Sequence, residues 1–291
     1  MYAKIIAAVF SLLLSSCSVV QTTYNHGPQL AWWWFDSYLD FNQDQAPHAK
    51  QAIHRWFGWH RSTQLPEYAD WLADVHGRIG DTVTPSQVCQ LSDTLQNITT
   101  LALDHAAQLG TPVILRLGEA QWRHLERRYA KSNDELRSDF LQPNPQDRLE
   151  ASVKRTVKRI ENLYGDIDEA QHHLIVTSIQ NSPFNPEAWL AERQQYQQDI
   201  LATLRRLVTD SAVPEHATTA LRKLMERTRH SSDPEYRAYQ LKLTAYGCDF
   251  IARMHNSTTP AQRKHAHKKL TGWETDFRVL STESRVITAL D

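Results

Sequence analysis

Seven of the 12 prolines restrict this chain more than any other residues. Pro47, Pro66, Pro85, Pro186, Pro214, Pro234 and Pro260 each stand at the head of a stretch with helical periodicity. Proline costs little there, because its absent N–H would have been an unpaired donor and its φ is already helical. The residues around them agree. Thr84-Pro85-Ser86-Gln87 and Thr259-Pro260-Ala261-Gln262 are capping boxes with glutamine at the third helical position. Asn185-Pro186-Glu187 and Asp233-Pro234-Glu235 join a capping side chain to an early acid, and Asp168-Glu169-Ala170-Gln171 repeats the box without proline. No segment alternates with period two between hairpin turns. The expected fold class is therefore all-α: a multi-helix, bundle-like array of about ten helices, with no sheet.

The spacing predicts an aromatic segment over 28–41 and helices over 45–62, 66–79, 85–109, 118–140 and 146–164. Further helices follow over 168–181, 186–210, 214–230, 234–256 and 260–283. Breaks are expected at Gly110-Thr111-Pro112, Gln142-Pro143-Asn144-Pro145, Gly165 and Ser182-Pro183-Phe184-Asn185-Pro186. The helical body covers 28–291, and the break near 142–146 is the candidate division into two lobes.

The N-terminus carries an address. Lys4 precedes an apolar run from Ile5 to Leu14, too short to span a bilayer, and Leu14-Ser15-Ser16-Cys17 follows. This is the anatomy of a secretory signal over 1–16, and with cysteine at the cut it resembles the lipobox of bacterial lipoproteins. The resemblance implies acylation of Cys17 by palmitate-type chains, and several such chains anchor stably where one would not. Ser18 after the cysteine implies the periplasmic face of the outer membrane. Residues 17–27 are then a lipidated tether, of which 18–27 extended would reach roughly 33–36 Å.

The formal charge is −1, from 32 basic and 33 acidic residues, and this gives no global field for nucleic acid. Beyond Cys17 only Cys89 and Cys248 remain. They are either one disulfide, worth on the order of 4–5 kcal/mol through the long loop it closes, or two buried thiols.

Several constellations have a functional and a packing reading. Trp32, Trp33 and Trp34 either dock at a membrane headgroup layer or pack as core. Core packing is favoured because Trp32, Phe35, Tyr38 and Leu39 share a stripe that Trp56, Trp59 and Trp71 would complete. Asp36, Asp40 and Asp44 recur every four residues. That ladder is catalytic if buried, or a solvated face paired with Arg55 and Arg61, and the candidate catalytic set is Asp36, Asp40 and His60. Glu169 and His172 form half of a di-iron motif whose other half is missing, and His265 with His267 is a weak metal pair, so neither metal nor cofactor is expected. Nucleophile and phosphate-loop motifs are absent. Basic residues gather at Arg116–Lys131, at Arg148, Lys154, Arg155, Lys158 and Arg159, and at Arg263–Lys269. They read as solvated faces or as a polyanion contact.

Two resemblances remain. Trp34 to Phe41, Gln45, Trp59 to Tyr68, Tyr164 to Gln171 and Ser182 to Trp189 resemble an uncharacterised family of Gram-negative lipoproteins, a domain of unknown function. Phe41 to Gln45, Val83 to Gln87, Leu117 to Gln121 and Ile167 to Gln171 are similar to the L-T-x-x-Q motif of small periplasmic stress chaperones, which implies unfolded clients. The expected role is a lipid-anchored, non-enzymatic one: binding envelope proteins, scaffolding, or holding unfolded clients, without nucleic acid. The alternatives are an envelope hydrolase working through carboxylate and histidine, and a passive structural spacer.

Overall fold

The computed structural model describes residues 19–287, with side chains to residue 282. Cys17 and the signal segment 1–16 lie outside the described residues. Within them every element is helical and no strand occurs. The helices are α1 (Val19–Asn25), α2 (Gly27–Leu39), α3 (Ala46–Trp59), α4 (Leu65–Gly77), α5 (Pro85–Ile114) and α6 (Glu119–Phe140). They continue as α7 (Pro145–Tyr164), α8 (Glu169–Gln180), α9 (Pro186–Thr209), α10 (Pro214–Arg227), α11 (Pro234–Asn256) and α12 (Pro260–Ile287).

The prolines mark starts as the sequence implies, with two informative departures. At Pro66 the helix does not restart. α3 runs into α4 through a π turn at His60–Gln64, closed by the Leu65 N–H on the His60 carbonyl. A proline cannot donate to the carbonyl four residues back, and the wider turn absorbs that missing bond. The expected break at Gly110-Thr111-Pro112 is also absent, since α5 continues to Ile114. Pro112 stands in its final turn. Thr111 Oγ1 bonds the Ala107 carbonyl and Thr218 Oγ1 of α10, both at 2.8 Å. That tie and the packing of α5 against α10 and α11 outweigh a local cost of about 3 kcal/mol.

Within the segment read as a tether, the described residues are not extended. Residues 19–25 are helical and docked: Gln21 Nε2 donates to Asp276 Oδ1 at 2.8 Å, with both residues buried. Tyr24 packs edge-on against Phe57, and its hydroxyl meets His60 Nδ1 at 2.8 Å. Gly27 follows because the Phe57 ring fills the place a Cβ would take.

Long-range pairing joins distant parts of the chain. α4 lies along α12, α5 against α10 and α11, and α6 against α9, so the pairs cross the 142–146 break repeatedly. One core is built from Ala107, Leu117, Trp122, Leu204, Leu221 and Leu224. The α4–α12 seam holds Leu65, Ala69 and Leu72 against a helix that buries Ala266, Leu270 and Leu280. Each fully buried leucine contributes about 1.5–3 kcal/mol. Cys89 of α5 and Cys248 of α11 are bonded, with Cα atoms 5.5 Å apart and Val88 and Ala252 packed around them.

The box glutamines do more than cap. Gln45 Oε1 accepts from Asn42 N–H while its Nε2 donates to the Arg116 carbonyl at 2.7 Å. Gln121 answers, closing the box at Gly118 and donating to the Asp40 carbonyl at 3.1 Å. The same reciprocity recurs between α8 and α12. Gln171 donates to the Ser257 carbonyl, Gln262 to the Asp166 carbonyl, and the two amides bond each other at 2.8 Å. Each clasp staples two helix starts together through buried amides whose oxygen and nitrogen are both used.

Candidate functional site

A groove of about 870 Å³ is bounded by α4, the 78–84 loop, α5, the end of α7, α11 and α12. Periodicity explains its wall: Trp71, Leu91, Ile251, Leu270, Trp273 and Phe277 occupy inward-turned faces of helices that meet at an angle and leave a gap. The Trp71 indole N–H is buried and makes no hydrogen bond, so the floor there offers no acceptor. The polar groups that do line the groove are mostly satisfied internally. Tyr164 donates to His255 Nδ1 at 2.8 Å, and His255 Nε2 donates to the Asp81 carbonyl at 2.8 Å. Burial pushes the Tyr164 phenol up to about 12 and lowers the His255 imidazole, so both are neutral near pH 7. Asp74 and Arg78 form an ion pair one turn apart.

A second groove of about 580 Å³ lies on the α7 side. Arg148, Arg155 and Arg159 line it and no carboxylate does. Arg148 is held by the Gln142 carbonyl and Glu187, and Arg155 by the Asp139 carbonyl and Ser152. Arg159 lines both grooves, is exposed, and makes no hydrogen bond or ion pair with any described residue. α7, which carries all three arginines, buries only Tyr164 along its whole length.

The aromatic segment takes an unexpected form. α2 buries none of its residues, and Trp33 and Trp34 are 59% and 56% exposed. The favoured core stripe therefore fails for Phe35, itself an exposed hydrophobic. Trp32 is half-buried, stacked on Phe41 with Lys50 Nζ 4.6 Å above its ring. Trp56 and Trp59 turn toward α5 instead: Trp56 donates to the Ala102 carbonyl, and Trp59 stacks on His105. Trp71 belongs to the groove. The reason is geometric, since α2 lies across α3 and α6 as an outer element and shows solvent its widest face.

The candidate catalytic set does not converge. Asp36 accepts from Phe41 N–H as the helix ends at Leu39, and this end also breaks the expected carboxylate ladder. Asp40, at φ 49°, has its carboxylate 74% exposed and 3.7 Å from His124. Asp44 is exposed in the turn that follows. His60 is buried far along the chain, stacked on Trp56 and bonded to Tyr24, and burial lowers its imidazole to about 4. Arg61, proposed as a partner for the acids, donates to Asn25 and covers the Tyr24 ring. Among the described residues no cluster of His, Cys, Asp or Glu could hold a metal ion. His267 packs against His76, and His265 lies beside Gly165.

Among known sequences, residues 37–237 match a family of unknown function (DUF6279), and the chain belongs to that family. No curated protein and no solved structure matches it. No helix among the described residues is long and apolar enough to cross a membrane.

Proposed function

We propose that this chain is a lipoprotein, cut before Cys17, acylated there and held at the periplasmic face of the outer membrane, where it works as a binding protein. The single observation that carries the binding role is the open apolar groove of about 870 Å³, which shares Arg159 as a wall residue with a cationic one. Concave, mostly apolar sites with a few placed polar groups are how proteins take ligands. The exposed tryptophans of α2 support the membrane address, because amphipathic rings settle at a headgroup layer. Asp36, Asp40 and His60 have separate structural tasks, and this gives the hydrolase alternative no assembled centre.

The test uses a photo-crosslinking residue placed in living cells at 95 or 251 in the groove, and at 241 as an exposed position away from it. Saturable adducts, protein or lipid, at the groove positions alone support the reading. A broad, stress-dependent set of proteins selects the holdase form of it. Adducts nowhere would leave a passive spacer. In parallel, an alkyne-tagged palmitate fed to cells should label the wild-type chain and not Cys17→Ser, and equal labelling or none would refute the anchor.

A further inference from the structure

We infer that the paired grooves bind a single-chain anionic amphiphile, its head on Arg159 at their junction and its tail in the apolar groove. This rests on the binding role proposed above and names its ligand class.

The argument is one of mismatch between charges and partners. Most polar side chains of the apolar groove are already bonded, Tyr164 to His255, His255 to the Asp81 carbonyl and Asp74 to Arg78, and the unpaired Trp71 N–H is a neutral, buried donor. The one further carboxylate lining it, Asp81, is on the exposed 78–84 loop. At the other end three guanidiniums share one face of α7, spaced over residues 148 to 159, roughly 16 Å of helix. Two of them are occupied by backbone carbonyls or side chains, whereas Arg159 has no hydrogen-bond or ion-pair partner among the described residues. Arg155 lies one turn before it on the same face of α7, so an anion seated there lowers like-charge repulsion as well as forming charge-assisted hydrogen bonds. A cationic or wholly apolar ligand would leave that charge uncompensated. The apolar groove's volume lies within the usual range of about 300–1,000 Å³ for small-molecule sites, and its aromatic and aliphatic lining suits an alkyl tail.

The loose seating of α7 fits an occupant that comes and goes. Apart from Tyr164 the apolar side chains of α7 are half-buried rather than buried, and a bound tail would add to their packing.

The test uses the full chain carrying Cys17→Ser, so that no acyl group of its own competes. A dansyl-labelled undecanoate is displaced by saturated carboxylates of increasing length, by the matching alkyl phosphates, and by alkyltrimethylammonium salts as charge-reversed controls. Affinity should rise about fourfold per added methylene until the groove fills. It should fall about tenfold or more for the cationic series. Arg159→Gln, at an exposed site that leaves the fold intact, should weaken the anions about tenfold and leave the matching alkanols unchanged. Ile251→Glu should weaken both series. Preference between carboxylate and phosphate then identifies the head. Hydrogen exchange should slow along α7 when ligand is added. Binding independent of chain length, equal binding of both charges, or no displacement at all overturns the amphiphile. If displacement fails while groove crosslinks in cells still capture a saturable protein, the binding role stands without this ligand. If both fail, both readings fall.

Discussion

Changing Gln171 to Glu tests the clasp with almost no change in shape. Gln171 is 2% exposed, and its Oε1 accepts from Asp168 N–H while its Nε2 donates to the Ser257 carbonyl and Gln262 Oε1. Gln171→Glu keeps the acceptor and removes both donors. It also turns a carboxylate oxygen toward two oxygens that were hydrogen-bonded at 3.1 and 2.8 Å. Two lost buried bonds at about 1–3 kcal/mol each, with desolvation of the new charge, predict a loss of about 3–5 kcal/mol at neutral pH. Acidification should narrow the deficit, since a protonated carboxyl regains one O–H donor. The control is Gln87→Glu, the same change in an exposed box whose Nε2 has no partner, and it should stay within about 0.5 kcal/mol. Urea unfolding of the full chain carrying Cys17→Ser, followed by circular dichroism at two pH values, measures all three. Equal effects at 171 and 87, or a deficit below about 1 kcal/mol at 171, would refute the clasp as a stabilising element.

Other outcomes follow from the same structure. Burial lowers the His60 imidazole to about 4, so protonation favours the unfolded chain as pH falls below its ordinary range near 6.5. Wild type should lose about 2 kcal/mol from this group between pH 7 and pH 5, and His60→Phe should remove that part of the acid sensitivity in the same unfolding assay. Breaking the Cys89–Cys248 bond, by reduction or by paired alanine substitution, frees a 159-residue separation. It should cost about 5 kcal/mol, read as a drop in unfolding midpoint that reductant no longer changes in the double variant. Replacing Trp33 and Trp34 together by serine should weaken binding of the Cys17→Ser chain to phosphatidylethanolamine–phosphatidylglycerol vesicles about tenfold or more, with unfolding unchanged. Undiminished binding would remove α2 from the membrane contact.

The legible part of this fold was local. Proline, capping residue and early acid act within one turn, which is why starts at 85, 186, 214, 234 and 260 can be read directly. Where tertiary contacts override a local signal, the sequence reading misses. Thr111's bond to Thr218 carries α5 past Gly110, and the buried Gln21–Asp276 pair folds a segment that otherwise looks like linker. The candidate site was less legible still. Arg159 appears in sequence as one member of a basic run, and nothing local distinguishes it from Arg155, which the Asp139 carbonyl satisfies. Groove residues such as Leu91 and Ile251 have the same spacing as core residues, because a helix face looks alike whether a neighbour or a void lies opposite. The tryptophans of α2 make the converse point: a good stripe buries only if another element arrives to cover it.

The pairing of α4 with α12 also sets the order in which the molecule can be completed. His76 meets Glu274 across 198 positions and Arg278 meets Asp70 across 208, while α1 waits for Asp276 on the same late helix. A chain emerging at about 5–20 residues per second exposes Leu65, Ala69 and Leu72 for roughly 10–40 s before their cover exists. During that interval the first half presents apolar helix faces with no native place to put them. Loss of α12 would make that condition permanent. Early apolar faces in this fold thus depend on a helix 198 to 208 residues later for their cover.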